Sequence, residues 1–155
     1  MAQALTVTAQ KNPFLDGAVG GSFSITLDWQ SDASGNVSIA ICSTYSTAQR
    51  ISNPASPAPT KILGVLRSIE AIPGLNGDLA TTLPTDQYGI TLLDQYGYDV
   101  TDGMTVHCSG TVSTKQYPAR KIIIDSELTL TIVNAGSTKT GRILVEFEDT
   151  AGHKF

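Results

Sequence analysis

Apolar and polar residues alternate in short runs along this chain, and turn residues separate the runs. Phe23, Ile25, Leu27 and Trp29 alternate with Ser22, Ser24, Thr26 and Asp28. Val37, Ile39 and Ile41 follow, interleaved with Ser38, Ala40 and Cys42. Tyr88 to Leu93, Leu128 to Val133 and Arg142 to Phe147 are further short strand-like runs. Side chains on a strand point alternately to its two faces, so a period of two predicts half-buried strands. No stretch carries a helical period. Gly, Asn, Asp and Pro interrupt the runs at the spacing of about 8–12 residues seen in sandwiches and barrels. The fold class predicted is therefore all-β: an antiparallel β-sandwich or small barrel of about eight strands.

The boundaries follow from the same pattern. Leu5 to Ala9 reads as a first strand or an extended arm, and a Gly-rich loop runs on to Gly21, so residues 1–21 form one segment. Residues 22–149 form the β domain, and 150–155 a tail of the kind that frays. Ser31 to Asn36 predicts a tight turn, with Gly35 and Asn36 suited to positive φ, joining its flanking strands as a hairpin. Ser43 to Thr60 holds Pro54, Pro57 and Pro59, which bars a central strand. It predicts a surface loop of extended backbone, with a short helical turn near Thr47–Arg50 as the alternative.

Lys61 to Ile72 predicts a long strand, apolar on both faces and central in a sheet, with Gly64 marking a bulge. The tetrapeptide Asp-Gln-Tyr-Gly occurs at 86–89 and 94–97 and predicts a duplicated turn. Its second copy would join Tyr88–Leu93 to Tyr98–Val100. Met104 to Gly110 is ambiguous, Val112 to Ala119 predicts a loop, and Lys121 to Asp125 a strand. Asn134 to Gly141 predicts a hairpin joining the last two strands, with Ile143, Val145 and Phe147 inward and Arg142, Glu146 and Glu148 toward water.

Composition sharpens the picture. At 155 residues and 41% apolar, the chain is one domain with a real core. Charged residues are 15%, against about 25% in ordinary domains. Ser and Thr number 33, more than the 24 charged residues. Hydroxyls are far cheaper to cover with a partner than ions, so this surface suits broad neutral contacts. The net charge of −4 and the absence of a basic stripe argue against nucleic acid. No run reaches 18 apolar residues, so no membrane-crossing helix is expected. The first residues carry no basic segment or long apolar run, and the expectation is a chain made and folded in a cytoplasm.

Candidate chemistry is thin. No Gly-x-Ser-x-Gly, Gly-x-x-x-x-Gly-Lys or His-Glu-x-x-His motif is present, and Glu70 with Asp78 carries no signal of a glycosidase pair, so the expectation is a chain that is not an enzyme. Cys42 and Cys108 lack the spacing of a zinc site; both free and paired states stay open. His107 and Cys108 are sequence neighbours and point apart on a strand, so they cannot form a dyad, and His153 lies in the tail. Asp94, Asp99 and Asp102 with Gly97 and Gly103 read as turn chemistry, with a calcium loop as the alternative. No cofactor is expected. Trp29, Tyr88, Tyr96, Tyr98 and Tyr117 raise the alternative of an aromatic platform for a glycan, with Tyr96 and Tyr98 on one side if the backbone there is extended.

Three segments resemble a group of small β-rich virion proteins of tailed bacteriophages. They are Trp29 to Val37; Pro84 to Val100; and Leu128 to Gly136 followed by Lys139 to Gly141. Together they cover about a quarter of the chain, and no catalytic residue comes with them. The resemblance implies a structural part of a phage particle, a capsid decoration (cement) protein on the exterior of the virion. The implied partners are the major capsid protein and further copies of the chain, as a homodimer or homotrimer. A tail or head–tail connector component, or a carbohydrate-binding module on the virion, is the alternative. Candidate partner contacts are Phe14 and Leu15 in the first loop, Tyr45, Pro54, Pro57 and Pro59 in the Pro-rich loop, and Tyr96 and Tyr98.

Overall fold

The computed structural model describes residues 3–11, 22–41, 49–53, 62–74 and 83–148. The alternating stretches are strands: β1 (Ala4–Lys11), β2 (Ser22–Gln30), β3 (Val37–Ala40), β4 (Gln49–Asn53) and β5 (Ile62–Pro73). They continue as β6 (Gly89–Leu93), β7 (Thr114–Gln116), β8 (Ile123–Ser126), β9 (Thr129–Val133) and β10 (Thr140–Glu148). Among the described residues, all pairings are antiparallel and fall into two sheets. The larger has seven strands in the order β4-β1-β2-β10-β5, with β7 and β8 sharing the outer edge of β5. The smaller runs β3-β9-β6. The chain is all-β, as its periodicity predicts.

The core lies between the sheets. Leu5, Ile25, Leu27, Trp29, Ile69, Ile143, Val145 and Phe147 of the large sheet meet Val37, Ile90, Leu92, Leu130 and Ile132 of the small one. Each fully buried side chain of this size contributes roughly 1.5–3 kcal/mol. Strict alternation along β10, buried at Ile143, Val145 and Phe147 and half-buried between them, matches the pleat.

Both predicted hairpins are instead crossings. β2 lies in the large sheet and β3 in the small one, and β9 and β10 divide the same way. Residues 31–36 and 134–139 are corners that carry the chain from one sheet to the other. Alternation shows that a strand has one buried face, and that face is equally buried whether its sequence neighbour pairs with it or packs across the core. Gly35 has φ of +84°, while positive φ falls at Asn134 and not at Asn36.

Other expectations shift locally. Gln49–Asn53, read as loop or helical turn, is an edge strand ending just before Pro54, where a missing amide donor costs no ladder bond. Thr114–Gln116, read as loop, is a short edge strand on β5. β5 is interior, but its bulge falls at Arg67, between the Glu146–Ser68 and Phe147–Leu66 pairs, and not at Gly64. The two Asp-Gln-Tyr-Gly copies fold differently. Asp94 to Gly97 is a tight turn; in the other, Gln87 takes φ of +68°, Tyr88 enters the core and Gly89 opens β6.

Candidate interaction surfaces

The two corners and the segment before β6 interlock at one end of the sandwich. The Ser31 hydroxyl donates to the Gly136 carbonyl (2.6 Å) and accepts from the Lys139 amide (2.8 Å). The Ser31 amide donates to Lys139 O, Ala135 N to Gly35 O, and Thr85 N to Ala135 O. Gly35 packs so closely on Gly136 that a Cβ would lie 2.7 Å from its nitrogen. Trp29 lies over Gly141, its register partner on β10, and its ring centroid is 5.7 Å from that of Tyr88. Trp29 to Val37, Pro84 to Val100, and Leu128 to Gly136 with Lys139 to Gly141 therefore meet in one structural unit, although they are far apart in sequence. That unit is architecture: it welds sheet to sheet.

This placement removes Trp29 and Tyr88 from any glycan platform, since both rings are fully buried. Among the described residues, neither the indole nitrogen nor the Tyr88 hydroxyl has a hydrogen-bond partner. Burial raises the Tyr88 phenol above its ordinary value, and the neighbouring Cys108 adds to the rise. Cys108 is free, bridges to Tyr88 and is buried; burial pushes its thiol up to about 11. Its sulfur lies 3.2 Å from the Thr105 carbonyl, so the thiol sits in the core as a packing group. His107 beside it is exposed. Cys42, Asp78 and His153 lie outside the described residues, and so do Phe14, Leu15, Tyr45, Pro54, Pro57 and Pro59.

Tyr96 and Tyr98 are 76% and 73% exposed on the Asp94 turn. The backbone there is not extended: Gly97 has φ of +87°, and Asp94 Oδ1 accepts from both Tyr96 N and Tyr98 N at 2.9 Å. The Asp32 corner repeats this arrangement, Oδ1 accepting from Ser34 N at 2.8 Å and Asn36 N at 3.0 Å. The shared device is Asp-x-x-Gly, a side chain closing the turn on itself. The Asp99 carboxylate is likewise committed to backbone, accepting from Leu92, Thr101 and Gly103 amides and from the Thr101 hydroxyl. Asp102 pairs with Arg120 at 3.3 Å. Among the described residues, no three His, Cys, Asp or Glu side chains gather as metal ligands would.

The outward faces of the two sheets differ in kind. On the large sheet they carry Asp28, Arg142, Glu70, Glu146, Glu148 and Lys115. Arg142 Nε donates to Asp28 Oδ1 at 2.6 Å and Nη2 to Oδ2 at 3.1 Å, a fork that raises the guanidinium pKa further. A groove of about 430 Å³ runs between β5 and residues 117–121 on this side, beside exposed Tyr117. Of the ions that line it, Arg67 pairs with Glu148 (3.4 Å), Arg120 pairs with Asp102 (3.3 Å), and Glu146 accepts from Ser68 and pairs with Lys115 beside the groove (3.7 Å).

The small sheet presents three cross-strand rows outward. Val133 stands beside Gly89; Ser38, Thr131 and Thr91 align; Ala40, Thr129 and Leu93 align. Ser38 and Val133 are exposed and the others half-buried, apart from Gly89, which is covered. None of these positions is ionisable. The signal was present in the sequence, as every second residue of three runs, but it has meaning only once β3, β9 and β6 are known to be neighbours. Along the outer edge of β6, residues 98–108 cover the backbone: Thr105 bonds Ile90 through both its carbonyl and its hydroxyl, and Val100 N donates to Leu92 O. Comparison with protein-family models, with curated proteins and with solved structures gave no match.

Proposed function

We propose that this chain is a non-enzymatic structural protein of a phage particle, a decoration protein that binds the outside of the capsid and stabilises it. The observation that carries the reading is the convergence of the three resembling segments on one intersheet unit. A resemblance that maps onto the joint of the scaffold concerns build, not chemistry, and a rigid sandwich is what a clamp on a shell needs. The scarcity of charge and the surplus of hydroxyls support it, because such a surface is covered at low cost. Copies arrayed on the shell, as dimers or trimers on its symmetry axes, add modest contacts into firm attachment.

Copy number decides between this and the other virion roles. Quantitative mass spectrometry of purified particles is expected to find the chain in numbers comparable to the major capsid protein. A handful of copies per particle would move the protein to the tail or the head–tail connector, and its absence from particles would end the reading.

A further inference from the structure

We propose that the groove beside β5 is a binding site for a neutral sugar, with the Tyr117 ring as its platform. The groove exists because the edge strand next to β5 is interrupted. β7 and β8 pair with the same edge of β5, Gln116 opposite Ile69 and Ile123 opposite Val65, and Leu66 N donates to Ile122 O. Five residues, 117–121, therefore stand opposite two, Arg67 and Ser68. Pro118 among them has no amide to give to a ladder. The surplus chain leaves the space of about 430 Å³ between itself and β5. Buried Ser68 lines it, and other lining side chains stand in water: Tyr117 is 67% exposed, and the Arg67 and Arg120 side chains 54% and 74%.

The ligand class follows from ring, charge and size. The Lys115 ammonium sits over the Tyr117 ring, 5.7 Å from its centroid. The exposed remainder of the ring offers the C–H face of a pyranose a flat apolar surface. No ion that lines the groove is without a partner: Arg67 has Glu148, Arg120 has Asp102, Glu146 has Lys115 and Ser68, and Lys121 is engaged as well. A charged ligand would have to displace one of these partners and desolvate the ions it separates. Hydroxyl groups need displace nothing. A guanidinium has five N–H donors, of which one carboxylate takes at most two, and a carboxylate has about four acceptor sites. The paired ions thus form a neutral wall of oriented donors and acceptors. Small-molecule sites span about 300–1,000 Å³, so this groove has room for about one or two sugar rings. Neither Tyr96 nor Tyr98 lines it.

The test is an amide NMR titration of the whole chain with maltose, cellobiose, lactose and N,N′-diacetylchitobiose, each to about 50 mM, with inorganic phosphate alongside. A shallow site with one ring binds weakly and discriminates little, so at least one disaccharide is expected to bind in the millimolar range. The amides that shift should be those of Arg67, Ser68 and residues 117–121. Tyr117→Ala should lower the affinity about tenfold or more, while Tyr117→Phe, which keeps the ring, and Tyr98→Ala should stay within about threefold of wild type. The same spectra show whether each variant is folded, and Arg120→Ala, at another exposed position, should also weaken binding by about threefold or more. Retardation in a gel holding the matching polymer (amylopectin for maltose, glycol chitin for the chitobiose) separates a site for the inner rings of a polysaccharide from one for a free or terminal sugar; either result supports the proposal. No binding by any of the four sugars, shifts centred on Tyr96 and Tyr98, or undiminished binding by folded Tyr117→Ala would each overturn it. Phosphate bound in the groove with no sugar bound would make it an anion site and overturn it equally. None of these results touches the decoration role, which copy number decides.

Discussion

Gly141 faces Trp29 across the β2–β10 ladder, and a Cβ there would enter the indole ring. Glycine under an aromatic cross-strand partner lets the ring lie on the backbone, a pairing that rescues an otherwise weak strand position. Gly141→Ala is expected to cost about 1–3 kcal/mol, the range for overpacking, measured by urea unfolding with Trp29 fluorescence as the probe. The neighbouring Cys108 and Tyr88 set an alkaline limit. Both hold their protons more tightly when folded than unfolded, so their contribution is intact below the ordinary thiol value of 9.0 and is lost as pH rises. Stability should fall by on the order of 1–2 kcal/mol between about pH 9 and 11, and Cys108→Ala should flatten that slope. Chemical unfolding across the pH range reads both. Neither effect was legible in the sequence, where Gly141 looked like the end of a turn and Cys108 like a residue of uncertain fate.

The elements show where sequence reading is strong and where it stops. Strand positions were legible because burial of one face writes itself as alternation: Ile25, Leu27 and Trp29, or Ile143, Val145 and Phe147. Partners were not, because Val37 shows the same inward pattern whether it sits beside Leu27 or across from it. β4 and β7 were missed because short edge strands gain little from burial and so carry polar residues freely. Of the candidate surface, only its ingredients were visible, a neutral and hydroxyl-rich chain; the rows of Ser38, Thr131 and Thr91 arise from pairing. The repeated tetrapeptide misled for a related reason. Asp94 closes its own turn, whereas Asp86 reaches Gly110 N at 3.1 Å. Asp94→Ala and Asp32→Ala each release two exposed turn amides to water and should cost about 0.5–1.5 kcal/mol, whereas Asp86→Ala strips the acceptor from the part-buried Gly110 amide and should cost about 1–3 kcal/mol. Thermal unfolding of the three variants ranks them.

At the scale of the molecule, the large sheet is assembled from both ends of the chain. β10 is inserted between β2 and β5, and the Asp28–Arg142 fork joins residues 114 apart in sequence. Closing so long a loop has to precede the contacts that reward it, which places this fold among the slower ones. During synthesis on the ribosome, β2 and β5 emerge early and wait with bare edges until β10 follows them out. Nascent chains are then at their most adhesive toward one another, and the domain sets only once β10 has left the ribosome.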